Sequence, residues 1–112
     1  MMRRLIRAAI RNATVTRSEG VSLRIDPILL RAADILPLEE IEIVNHETGE
    51  RIITFAEPAG EASGEIAISR LRAGDAISIL SWGLMHDGQT LAHRAKIVTV
   101  DTENRLVAVA EA

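Results

Sequence analysis

The chain contains no cysteine and no tyrosine, and only one phenylalanine and one tryptophan. Without thiols it forms no disulfide, no thiolate metal site and no cysteine nucleophile, a composition suited to a reducing cytoplasm. Phe55 and Trp82 alone leave almost nothing on which bases could stack, which disfavours single-stranded nucleic acid as a partner. No apolar run approaches the roughly 18 residues of a membrane helix, and no signal-type apolar region follows the first methionine. The expectation from these absences is a soluble cytoplasmic protein that makes no membrane contact.

What is present is aliphatic. The 112 residues are 47% hydrophobic and 26% charged, which predicts one globular domain over residues 1–112 with a core of Ile, Leu, Val and Ala. The net charge of −3 is uneven. Arg3, Arg4, Arg7 and Arg11 are the only charges in the first eleven residues. They suit either an acidic partner or an edge strand whose solvated cations discourage pairing with another chain.

Alternation then sets the elements. Leu5–Ile10 and Ala13–Thr16 predict two strands, and the turn residues Ser18-Glu19-Gly20 lead into a short strand over Val21–Ile25. Asp26-Pro27 predicts a helix over 27–33, with Asp as cap and Pro in its first position. Ile28, Leu29, Ala32 and Ala33 would form its core-facing stripe. Glu40–Val44 and Arg51–Phe55, joined by the polar His46–Glu50 turn, predict a β-hairpin. Shorter strands are expected at 65–69, 76–82, 95–100 and 105–110, with breaks at Gly83 and at Asp87-Gly88. Many turn-punctuated strands with little helix argue for a small closed β-barrel.

The order of these pieces resembles the pyruvoyl-dependent aspartate 1-decarboxylases over nearly the whole chain. The resemblance rests on Ala13–Thr16, on Ser22–Asp26 and the helix after it, and on Ala32–Leu36. It continues through the hairpin Ile41–Asn45 with Thr48–Arg51 and through Ala73-Gly74-Asp75. It implies an all-β double-psi β-barrel with small α content. It further implies a homotetramer with active sites between subunits, and conversion of L-aspartate to β-alanine and CO2 for pantothenate synthesis.

The family's cofactor is a pyruvoyl group made by cleavage between a Gly and a Ser, and Ser22 matches that Ser. By the same resemblance Thr54 is the processing threonine, and Arg51 holds the substrate carboxylate through a bidentate contact. Other positions depart from the family. Val21 replaces the glycine before the cleaved bond, and a β-branched residue resists unusual backbone conformations. Ala9 stands for a lysine, Arg11 for a histidine and Phe55 for the proton-donating tyrosine. An Asn-Gly pair is missing near Ser69, and residues are absent before Gly20. Arginine holds its proton too tightly to act readily as a general acid.

These departures predict a chain that remains uncut, with no cofactor. It would serve as a small-carboxylate binding protein, as a self-associating homotetramer or as the non-catalytic partner of a related decarboxylase subunit. The alternative is an active decarboxylase carrying a pyruvoyl group from Ser22. A weaker third reading uses the arginine-rich N-terminus for nucleic acid. His46, His86 and His93 match no common metal-ligand spacing, so no metal is expected. Ser22 with a histidine and Asp26 lacks the nucleophile-elbow motif of a hydrolase triad. Arg51 could equally pair across the hairpin with Glu42 or Glu50. Trp82 suits the core or an interface, with a cation-π site as the remoter reading.

Overall fold

The computed structural model describes residues 1–112. Its elements in order are β1 (Met2–Thr14), β2 (Leu23–Ile25), α1 (Pro27–Ala33), β3 (Glu40–Asn45), β4 (Arg51–Pro58) and β5 (Ile66–Ala67). They continue with β6 (Ala76–His86), α2 (Asp87–Thr90), β7 (Lys96–Val100) and β8 (Leu106–Glu111).

Where the residue pattern predicts two N-terminal strands, the structure has one. Asn12 adopts φ 65°, and the register with β6 shifts between Ile6 and Ala8 and between Ile10 and Ala13. Such bulges bend a strand while pairing continues on both sides, so the break in alternation near Arg11 marks a bend. β1 is also no edge strand, because β6 flanks it antiparallel and β7 flanks it in parallel. Three of its four arginines meet partners within the chain: Arg3 pairs with Asp87, Arg7 pairs with Glu39, and Arg4 stacks 4.1 Å from the centre of the Trp82 ring, while Arg11 is exposed.

The sheet order is β5-β2-β4-β3-β6-β1-β7-β8. Immediately after β1 the chain meets the far end of that sheet. Thr16 N–H donates to the Ile66 carbonyl at 2.7 Å, and Arg17 bridges Ala67 in parallel. The sheet is thereby curled on itself, giving the all-β barrel with little helix implied by the double-psi resemblance. The hairpin forms as the alternation requires, with Val44 opposite Arg51 and Glu40 opposite Phe55.

Several boundaries differ from the residue pattern: β2 begins at Leu23 where the alternation predicts Val21, β4 continues past Phe55 to Pro58, and β5 covers only Ile66–Ala67 of the expected 65–69. β6 runs through Gly83, which pairs with Leu5, and stops only at His86. The Asp87-Gly88 break becomes the short helix α2. Helix α1 spans the expected residues, and Asp26 caps it by accepting from the Ile28 N–H at 3.0 Å. Its buried residues are Leu29, Leu30 and Ala33, whereas Ile28 and Ala32 are only half-buried. In a helix this short one inward turn suffices, and Asp34 ends it in the left-handed conformation at φ 56°.

One cluster of 21 buried residues, all Ile, Leu, Val or Ala, fills the barrel. A deeply buried aliphatic side chain contributes about 1.5–3 kcal/mol, and Leu23 and Ile25 anchor β2, as Ile52 and Ala56 anchor β4, in this core.

Candidate functional site

The parallel pairing of β2 with β4 places the Val21-Ser22 peptide. Leu23 lies opposite Ala56 and Arg24 opposite Glu57, so continuing that register two residues back brings Val21 to Thr54. Thr54 Oγ1 donates to the Val21 carbonyl at 3.3 Å. Ser22 is buried at 3% exposure, and its hydroxyl donates to Glu57 Oε2 at 2.9 Å. Val21 itself turns its side chain outward and is 87% exposed. The left-handed backbone of this turn falls on Gly20, at φ 90°, where the missing Cβ makes it permissible. Val21 is thus accommodated without positive φ.

Glu57 escaped the sequence reading, which ends the hairpin strand at Phe55. Its position follows only from the parallel register of two strands far apart in sequence, and no local pattern reveals that. Glu57 is half-buried and makes no ion pair. Arg24, opposite it, is drawn toward Glu65 at 3.7 Å.

Arg51 is not joined to this group. Its Nη1 donates to Glu42 Oε1 at 2.8 Å, which selects Glu42 from the two cross-strand partners considered, while Glu50 pairs with Arg70. The same Glu42 oxygen accepts from Trp82 Nε1 at 3.3 Å. Three residues apart on one strand, Arg51 and Thr54 point to opposite faces.

Glu42 and Trp82 of this chain of contacts line a groove of about 360 Å³ together with Arg4, Glu39, Glu40 and Leu84, and Arg51 stands outside that lining. A shallower depression beside it is lined by Leu38, Glu40, Ile53, Thr54 and Phe55. Leu38, Ile53 and Leu84 are strongly exposed on this flank, with the exposed Glu40 carboxylate among them.

At the groove wall, Glu39 sits in a network. It accepts from Arg7 and from the Ser81 hydroxyl, each at 2.6 Å, and from the Leu36 N–H at 3.3 Å. Burial is the largest single influence on Glu39 and favours its neutral form. The bonds from Ser81, Arg7 and Leu36 and the Arg7 charge together outweigh burial and hold the carboxyl below the usual range.

The remaining candidates separate. His46 contacts Ser78 Oγ at 2.7 Å and His93 the Ile6 carbonyl at 2.7 Å. No group of three or more His, Cys, Asp or Glu side chains is placed to hold a metal. Asp26 spends its carboxylate on the N–H groups of Ile28, Ala62 and Gly64, so it orients no histidine toward Ser22. Trp82 is half-buried, and the cation on its face is the chain's own Arg4.

The residues present fit a pyruvoyl group poorly. Such a group acts as an electron sink. A group made from Ser22 would have the unpaired Glu57 carboxylate beside it, opposing both an anionic intermediate and an acidic substrate. Phe55, 36% exposed at the rim, brings no O–H with which to return a proton.

Comparison with known proteins bears on the whole chain. The family model described as aspartate decarboxylase matches residues 1–107. Aspartate 1-decarboxylase from Listeria monocytogenes is 34% identical, with 95% of this chain and 90% of the relative covered. Aspartate 1-decarboxylase 2 from Gloeobacter violaceus is 38% identical, with 97% and 94% covered. Aspartate 1-decarboxylase from Shouchella clausii is 33% identical, with 96% and 91% covered. A match of this extent, on a curled sheet that brings Ser22 and Thr54 to one peptide bond, establishes that the chain belongs to the aspartate decarboxylase family.

Proposed function

We propose that this chain is a cytoplasmic, self-associating member of the family that stays uncleaved at Val21-Ser22 and binds small carboxylates without decarboxylating them. One observation carries the absence of decarboxylation: the Glu57 carboxylate lies 2.9 Å from Ser22 Oγ, where decarboxylation would need an electron sink free of negative charge; the uncleaved peptide rests on Val21 in the place of the family's glycine. Phe55 in place of a hydroxyl donor and Ala9 in place of a basic group support it. Arg51 remains the carboxylate ligand, since its side chain is 59% exposed and Glu42 engages only Nη1. The exposed Leu38, Ile53 and Leu84 support self-association as a tetramer or pairing with a related decarboxylase subunit.

The test has two parts. Aged, heat-treated protein incubated with L-aspartate should release no β-alanine. Titration with succinate should give a binding heat that Arg51→Ala weakens by at least about tenfold, or 1.4 kcal/mol. β-Alanine production, or succinate binding indifferent to Arg51, would overturn the reading.

A second reading, an active decarboxylase with a pyruvoyl group from Ser22, draws support from the Thr54 hydroxyl on the Val21 carbonyl. That contact polarises the carbonyl the serine would attack. Release of β-alanine in the same assay would favour it.

A further inference from the structure

Ser22, Thr54 and Glu57 meet at one peptide bond, and the directions of their hydrogen bonds assign roles. An ionised carboxylate can only accept, so Glu57 takes the Ser22 proton and leaves the oxygen lone pairs free. No group donates to Ser22 Oγ; Glu57 is its single partner. A device that silenced the serine would engage those lone pairs with a donor. Glu57 also lacks a cation, whereas Glu39, Glu42, Glu50 and Glu61 each pair with an arginine. An unneutralised, half-buried carboxylate holding a hydroxyl at 2.9 Å is within the range for general-base catalysis. On the other side of the bond, Thr54 Oγ1 already donates to the oxygen on which charge would develop.

We propose that Glu57 is the proton acceptor for Ser22 in an N-to-O acyl shift, and that Val21 is the remaining barrier to it. The proposal rests on the uncleaved reading above.

The step is an isomerisation. Ser22 Oγ bonds to the Val21 carbonyl carbon as its proton passes to Glu57, and Thr54 donates to the resulting oxyanion. The C–N bond to Ser22 then breaks, the nitrogen takes the proton back from Glu57, and an ester with a free amine remains. No oxidant, reductant or water is consumed. Val21 opposes the attack because its branched Cβ crowds the carbonyl and restricts the rotation needed for approach.

Full-length Val21→Gly and Val21→Gly/Glu57→Gln proteins test this, with hydroxylamine as the probe because it cleaves esters and leaves amides intact. Glutamine keeps an acceptor for the Ser22 hydroxyl but cannot take its proton, so a purely structural role would survive the change. The expected result is hydroxylamine-dependent scission between residues 21 and 22 in Val21→Gly, slowed about 100-fold by Glu57→Gln with the Tm unchanged. Equal or faster scission in the double variant would overturn the proposal, as would no scission in Val21→Gly with Glu57 intact. If the glutamine variant does not fold, Glu57→Asp in the Val21→Gly background carries the test. Withdrawal by one methylene should slow scission at least about tenfold, and an equal rate would overturn the proposal. Scission of the wild-type chain would instead refute the uncleaved reading. In that event Glu57→Gln in the wild-type background reads the role of Glu57 directly, with the same loss expected and an unchanged rate overturning it.

Discussion

Replacing Asp26 by alanine tests what holds the Ser22 segment in place. Asp26 is 2% exposed and stands directly after the three-residue strand β2, which Ser22 immediately precedes. Oδ1 accepts from the N–H groups of Ile28 at 3.0 Å and Ala62 at 3.1 Å, and Oδ2 accepts from Gly64 at 3.0 Å. The first contact is a helix cap, worth about 1 kcal/mol. The other two satisfy loop N–H groups, and leaving each unpaired costs about 1–3 kcal/mol. Asp26→Ala should therefore destabilise the protein by roughly 3–7 kcal/mol, a large part of the 5–15 kcal/mol typical of a domain. Urea unfolding followed by circular dichroism measures this through the midpoint at constant slope. Asp26→Asn separates the contacts: one amide oxygen can still accept, while the NH2 group faces a second donor, so roughly half the loss is expected. Hydrogen exchange over residues 20–28 should accelerate in parallel. A cost below about 1 kcal/mol for the alanine variant would show that these three bonds do not secure the segment.

Two further outcomes rest on named contacts. Glu39, whose carboxyl is held below its usual range by Ser81, Arg7 and Leu36, contributes stability that is present above the unfolded-state value and lost as pH falls through the folded one. Glu39→Gln should lower the Tm at neutral pH, with the gap closing on acidification below the ordinary carboxylate range; a gap independent of pH would refute this. At Gly64, φ is 70° and a Cβ would stand 2.7 Å from the Glu103 carbonyl oxygen, whereas Gly49, at φ 74°, has nothing within 4 Å. Thermal unfolding should therefore show Gly64→Ala costing more than Gly49→Ala, which bears only the left-handed penalty of about 1–2 kcal/mol; equal losses would refute the contact.

Local chemistry was readable wherever one stretch decides its own structure. Asp26-Pro27 marks the start of α1, and the alternation flanking His46–Glu50 marks the β3–β4 hairpin. The burial of Leu30 in place of Ile28 reflects how α1 sits on the barrel, which helical spacing alone does not fix. The continuity of β1 through Asn12 and of β6 through Gly83 depends on partners that pair across those positions. At the site, Ser22, Thr54 and Arg51 were recognisable from the family resemblance. The structure joins the first two through the Val21 carbonyl and leaves Arg51 with Glu42 and Trp82. Glu57 was invisible because a parallel pair of strands brings it to a serine 35 positions away.

The most direct measurement is the intact mass of the purified full-length protein after prolonged incubation at elevated temperature, with and without a carbonyl-specific reagent. A single species at the mass of the 112-residue chain, unchanged by the reagent, is the predicted result. Two fragments divided before Ser22, with the larger one taking up the reagent, would contradict it.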